Sequence, residues 1–296
     1  MNYGALIFLA AFIGISASWF GFVLTPQIQI GRETQATNTV NTAELYPIAR
    51  PGQANEGAEV YRANGCVYCH SQQIGQSGTE VNVVLSEVGT NPVAVAEALI
   101  KANVGVTNAN AAGLSAGLPK AILHNISIGN AKKASKAARD AGAESRVDVV
   151  PVGADIERGW GKRHSVAQDY VYDHPVMLGS QRVGPDLANV GARLPDANWQ
   201  LLHLYAPRTV VPDSVMPSYK FLFQQRKING QRSPDALPLT GDYAPPDGYE
   251  VVPSAEVKAL VAYLLSLHAG APLYEAPLSV VSAPAATAAA TNSPAK

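Results

Sequence analysis

Two cysteines occur in the 296 residues, Cys66 and Cys69, and His70 follows the second directly. The run Cys66-Val67-Tyr68-Cys69-His70 matches the C-x-x-C-H pattern of covalent c-type haem attachment. Positions i, i+3 and i+4 share one face of a helical turn. Both sulfurs can therefore bond the haem vinyl groups while His70 reaches the iron from the same side. Other chemistry fits this spacing less well. Thioredoxin-like exchange needs a βαβ setting that the flanking sequence lacks. A structural zinc site needs four ligands, and no third cysteine exists to help build one. The expected cofactor is one covalent haem c.

An iron that carries electrons without binding oxygen needs a sixth ligand, and the chain has three methionines. Met1 opens the apolar N-terminal segment. Met177 stands seven residues before Gly184-Pro185, too near the loop expected on the histidine side. Met216 lies in Val215-Met216-Pro217, an extended X-Pro stretch well downstream. Met216 is the expected axial partner of His70, and its thioether would raise the haem potential. Arg182, Arg193 and Arg208 are candidates to pair with the haem propionates, because a guanidinium fork suits a carboxylate. Arg182 is the first choice among them. The histidines at 124, 164, 174, 203 and 268 read as surface or satisfied core residues, since none has a partner at metal-ligand spacing.

These groups need elements to hold them. Residues 53–64 read as a helix stopped by Gly65, with Gly57 and Tyr61 on one face. Ser254 reads as the N-cap of a helix over 255–268, with Gly270 as its stop and an apolar stripe through Val257, Leu260, Val261, Leu264 and Leu267. No charged residue precedes Arg32. Residues 4–24 are apolar or small, enough for a helix of roughly 31 Å that crosses the hydrocarbon core. Trp19, Phe20 and Phe22 sit where an interfacial aromatic belt would lie. The lack of an N-terminal Lys or Arg and of a clean small-x-small site favours an uncleaved anchor over a signal peptide. Ala10, Gly14 and Ser18 form a small-residue stripe suited to close approach of another helix in lipid.

Composition sets the wider frame. Length suggests about two domains. Charged residues are 15% of the chain, and 22 Lys and Arg stand against 23 Asp and Glu. That balance excludes nucleic-acid binding through bulk charge. Residues 81–150 contain no Phe, Tyr or Trp, and they read as strand 81–85, helix 92–103, weaker helix 108–118, strand 121–126, helix 130–141 and strand 146–150. Such a module fits a loop, whose ends lie close together at a surface. Residues 226–253, rich in Pro and Gly, read as a structured extended loop, and the tail from 276 as disordered.

Two resemblances follow from these residues. The crossing expected of first and last helices resembles class I cytochromes c. Tyr172-Asp173-His174-Pro175, the run from Gly179 to Leu187 and Val211-Pro212-Asp213-Ser214-Val215-Met216-Pro217 resemble subunit II of cbb3-type cytochrome c oxidases, a mono-haem cytochrome c on one membrane helix. Gly184-Pro185-Asp186-Leu187 is similar to the G-P-x-L loop of these cytochromes. By that resemblance the Pro185 carbonyl accepts the Nδ1 proton of His70 and fixes the ring. The resemblance implies an electron-relay subunit beside a haem–copper catalytic subunit and other oxidase subunits, with a cytochrome c donor. It also implies a single pass through the bacterial inner membrane and a haem domain on the periplasmic face, where haem is attached covalently. The other readings are the cytochrome c subunit of nitric oxide reductase, a haem-based ligand sensor, and an assembly subunit whose haem is only a folding cofactor.

The segment 81–150, with Glu87-Val88-Gly89-Thr90-Asn91 and residues 137–149, resembles the C-terminal domain of the bacterial ribosomal large-subunit stalk protein. Gly105-Val106-Thr107-Asn108-Ala109 stands where that family has its lysine-bearing stretch, so the resemblance implies a scaffold rather than factor binding, with no partner specified. The expected fold is mainly α. An anchor (1–30) and a linker (31–49) precede a class I cytochrome c-like domain (50–80 and 151–275), which an α+β insert (81–150) interrupts, and a tail (276–296) closes the chain.

Overall fold

The computed structural model describes residues 3–30, 32, 34–35, 45–111, 113–273 and 276. The expected disordered tail lies outside the described residues apart from Ala276, as does much of the linker. The chain divides into two compact units. One comprises Met1–Ile74 and Ser165–Glu275, and the other contains Gly75–His164.

The first unit begins with helix α1, Gly4–Gln29, with a mean hydropathy of 2.1 and no burial against the rest of the chain. Its 26 residues span about 39 Å, long and apolar enough to cross a membrane. The helix runs five residues past the expected end because its last turns widen rather than break. Pro26 has no N–H and its ring crowds the carbonyl one turn back. Over Phe20–Leu24 the helix takes a wider turn, and Thr25 N–H donates to the Phe20 carbonyl five residues earlier. The Thr25 hydroxyl donates to the same oxygen at 2.9 Å. Helix α2 then spans Gly52–Ala63, with Ala54, Gly57 and Tyr61 buried along one face.

The second unit contains strand β1 (Gly78–Glu87), helices α3 (Pro92–Lys101) and α4 (Asn108–Ala111), strand β2 (Lys120–Leu123), helix α5 (Ile128–Asp140), strand β3 (Glu144–Val152) and helix α6 (Ala154–Glu157). The order strand–helix–helix–strand–helix–strand is the one the sequence suggests, but the unit starts earlier and ends later than 81–150. The sheet has the order β2-β1-β3. Its long ladder pairs Gly78 with Val152 and Val84 with Arg146, so β1 and β3 extend through polar residues that pairing, not hydrophobicity, holds in register. Asn91 and Ser127 cap α3 and α5 by accepting from Ala94 N at 3.1 Å and Asn130 N at 3.3 Å. Val83, Leu85, Val95, Leu99, Ala131 and Ala134 form a separate, fully buried core.

The chain re-enters the first unit with helix α7 (Val190–Arg193), helix α8 (Ala197–Tyr205), strands β4 (Phe223–Lys227) and β5 (Tyr249–Pro253), and helix α9 (Ala255–Ser266). Asp196 caps α8 through Asn198 N at 2.9 Å, and Ser254 caps α9 through Val257 N at 3.3 Å. Helices α2 and α9 cross at Gly57, where a Cβ would lie 1.9 Å from the Ala259 carbonyl oxygen. Only glycine permits that approach. Tyr61 and Tyr263 pack next to it with ring centroids 5.4 Å apart, a pair worth about 1 kcal/mol beyond its buried area.

The stretch read as an extended loop is bounded by an antiparallel pair, β4 and β5. Leu237 and Leu239 between them are buried in the core of the first unit. Glu250, also buried, accepts from Arg226 Nε at 2.8 Å and Ser233 N at 2.7 Å. The expectation of a mainly α fold is therefore corrected to a mixed one, with helices and, among the described residues, two small sheets. The second sheet was hidden because Pro and Gly between its strands masked a short pairing whose apolar residues face one core.

Candidate haem site

The attachment motif is set by the end of α2. Gly65 adopts φ +69°, the left-handed conformation that ends a helix, and the chain passes into a tight turn over Cys66–Tyr68. Cys69 N and His70 N both donate to the Cys66 carbonyl, at 3.2 and 3.0 Å. This places the two cysteines and the histidine on successive positions of one turn. Cys66 is buried and Cys69 exposed. Burial pushes the Cys66 thiol up to about 11, so it rests as the protonated thiol.

His70 Nδ1 lies 2.8 Å from the Pro185 carbonyl oxygen. A carbonyl only accepts, so Nδ1 carries the proton and Nε2 keeps its lone pair for a metal. Burial lowers the imidazole pKa, and the Pro185 bond partly opposes that effect. Gly184 lies against the ring, where a Cβ would meet Cε1 at 2.2 Å. The loop is pinned by Asp186, which is fully buried. Its carboxylate accepts from Ser71 Oγ at 2.5 Å, Gln73 N at 2.8 Å and Ala188 N at 2.8 Å. Gly184 N donates to Cys69 O at 3.0 Å and Leu187 N to Ser71 O at 2.8 Å. The extended segment after His70 and the 184–188 loop thus form one hydrogen-bonded block.

This block forms one wall of an open cavity. Cys66, His70, Pro185 and Met216 all line it, together with apolar walls from Leu187, Val190, Leu260 and Leu264. Met216 is half-buried and packs against the core. Met177 is buried in the same core but does not line the cavity.

Three buried polar atoms among the described residues lack a hydrogen-bond partner: Tyr61 Oη, Arg193 Nε and His203 Nδ1. All three residues line this cavity. An apolar pocket edged by unsatisfied polar atoms fits haem, a large apolar macrocycle with two carboxylates. Burial moves each group toward its uncharged form. It raises the Tyr61 pKa, lowers that of Arg193, and takes His203 down to about 4.

The arginines separate clearly. Arg182 does not line the cavity. Its Nε donates to Ser71 Oγ at 2.9 Å and its terminal nitrogen to Gln73 O at 2.5 Å, with Asp186 at 3.8 Å. Arg208 donates to Ser214 O at 3.2 Å. Arg193 does line the cavity, held by a 2.9 Å bond to the Asp186 carbonyl. His203, read from sequence as surface or satisfied core, lines it as well. It stacks on Trp199, four residues earlier on the same helix, with ring centroids 4.8 Å apart. No cluster of three or more His, Cys, Asp or Glu that could hold a separate metal ion occurs among the described residues.

No curated protein matches the chain. Residues 147–238 match the family model described as Cytochrome C oxidase, mono-heme subunit/FixO. The matched segment carries Gly184, Pro185, Arg193, His203 and Met216.

Proposed function

We propose that this chain is a membrane-anchored, mono-haem c-type cytochrome that relays electrons to the haem–copper catalytic subunit of a cbb3-type oxidase. The observation that carries the reading is the single cavity lined by Cys66, His70, Pro185 and Met216. Cys66 and Cys69 would hold the group covalently, and His70 and Met216 would supply ligands to its iron. Bound haem supplies reversible one-electron chemistry.

The protein's own part is to fix geometry and exclude water. Asp186 and Pro185 hold the His70 ring against rotation, so little rearrangement of the ligand would accompany a change of charge on the iron it would hold. The apolar walls keep the local dielectric low and favour the less charged state. Helix α1 would keep the domain beside its partner subunits, on the periplasmic face of the inner membrane, where covalent attachment takes place. A soluble cytochrome c is the expected electron donor.

The test is to express the full chain in a host with c-type maturation and record the pyridine haemochrome spectrum and haem-stained gel. One covalent haem per chain is expected, lost when Cys66 and Cys69 are both replaced by Ala. Co-purification with a haem–copper subunit from native membranes tests the complex. Absence of covalent haem, or purification free of oxidase subunits, overturns the reading.

A further inference from the structure

Helix α1 is not buried against the rest of the chain, so among the described residues the haem domain is tied to its anchor by the segment between them. That segment takes hold of the domain at Tyr46 and Arg50. Tyr46 is buried, and its hydroxyl is shared between two acceptors, Asp169 Oδ1 at 2.7 Å and the His268 carbonyl at 2.9 Å. Arg50 pairs with Asp173 and lies over the Tyr263 ring, 5.3 Å from its centroid. Both side chains of that pair are nearly buried, at 12% and 4% exposure. From the anchor side, Gln35 Nε2 donates to the Pro47 carbonyl at 2.7 Å. None of Tyr46, Arg50, Asp169, Asp173, Tyr263 and His268 lines the haem cavity.

This strap is more than the fold requires. Helix α2 begins two residues after Arg50 and is already docked on α9 at Gly57. A buried ion pair adds little stability over an apolar contact, because desolvation offsets much of its attraction. What the pair does fix is a place. We propose that Tyr46 and Arg50 are positioning residues for electron transfer, which set the point where the membrane tether leaves the haem domain and so keep the haem within tunnelling reach of its acceptor. This assignment rests on the relay reading above. Were residues 46–50 released, five more residues would join the free tether, adding up to about 17 Å of reach. The local concentration of haem at the acceptor would then fall. Tunnelling decays exponentially with distance, so a modest displacement gives a large loss of rate.

Charge reversal separates this role from packing and from the haem site. Arg50→Asp or Asp173→Arg puts like charges together and opens the strap, whereas the two combined restore an opposite pair. Each variant is prepared in the complete membrane complex and compared with wild type. The measurements are haem content, midpoint potential and the rate at which the reduced c-type haem is reoxidised when oxygen is admitted. The single variants are expected to keep haem content and potential and to be reoxidised several-fold more slowly. The double variant is expected to regain the wild-type rate. Tyr46→Phe removes only the shared hydroxyl and gives the same test where a charge variant does not accumulate, with slowed reoxidation at unchanged potential expected. Wild-type rates in these single variants, a shifted potential, or a double variant as slow as the singles each overturn the assignment. A wild-type complex whose c-type haem is not reoxidised by oxygen overturns the underlying relay reading instead.

Discussion

Ile74 and Ser165 are hydrogen-bonded to each other although ninety-one positions separate them: Ile74 N donates to Ser165 Oγ at 2.9 Å and Ser165 N to Ile74 O at 3.0 Å. Both belong to the first unit, and all of Gly75–His164 is strung between them. The second unit has its own core and sheet.

Excising residues 75–164 and joining Ile74 to Ser165 through two or three Gly/Ser residues is expected to leave the haem absorption spectrum unchanged. The closure costs little because the ends already touch. The segment 75–164 expressed alone is expected to unfold cooperatively, as measured by circular dichroism. Loss of haem from the excised chain would show that the module contributes to the site.

Gly184 is the tightest point around His70. Gly184→Ala places a methyl 2.2 Å from Cε1, so either the ring or the loop must move. Such overpacking costs about 1–3 kcal/mol. The ring cannot turn freely without giving up the Pro185 bond. The expected result is a lowered thermal midpoint with a mixed-spin haem spectrum, whereas alanine at the exposed Gly52, whose Cβ would meet nothing within 4 Å, lowers no midpoint and leaves the spectrum unchanged.

The legible parts of this protein are those where spacing and geometry are the same thing. Cys66, Cys69 and His70 are fixed by one turn, and Ser254 caps a helix three residues away, so sequence distance stands in for spatial distance. The choice between Arg182 and Arg193 is different in kind. Both flank the 184–187 loop, and only the fold decides that Arg182 spends its donors on Ser71 and Gln73 while Arg193 reaches the cavity. His203 was missed for the same reason. A histidine among leucines on a helix carries no mark of whether its face meets core or cavity. The β4–β5 pair was unreadable because register across twenty-one intervening residues leaves no local pattern.

The arginines give a direct contrast. Arg193→Gln removes a cation from the cavity wall and is expected to lower the midpoint potential, because a nearby positive charge favours the reduced, less positive state. Arg182→Gln is expected to leave the potential within error. That side chain is partly exposed and serves the loop, so it should cost stability of about 1 kcal/mol or less. Redox titration together with thermal melting distinguishes the two. A lowered potential in the Arg182 variant alone would return the propionate role to Arg182.

The sharpest expectation concerns the methionines. Met216 lines the same cavity as the fixed His70, and its backbone N–H is tied to Ser214 Oγ at 3.3 Å. Pro217 follows, and its ring restrains the loop, so less freedom is lost when the sulfur meets a metal. Met177 is buried in the core, next to Leu178, whose carbonyl accepts from Gln72 N at 2.8 Å. Met216→Ala is therefore expected to abolish the weak far-red charge-transfer band of methionine ligation, to lower the potential and to open the iron to carbon monoxide. Met177→Ala is expected to keep all three properties and to lose about 2–5 kcal/mol of stability, as truncation of a buried methionine does. Absorption spectra of the oxidised proteins, carbon monoxide titration of the reduced ones and chemical denaturation check both variants side by side. If the far-red band disappears in the Met177 variant and survives in the Met216 variant, the axial ligand is Met177, and the cavity lined by Met216 serves some other purpose.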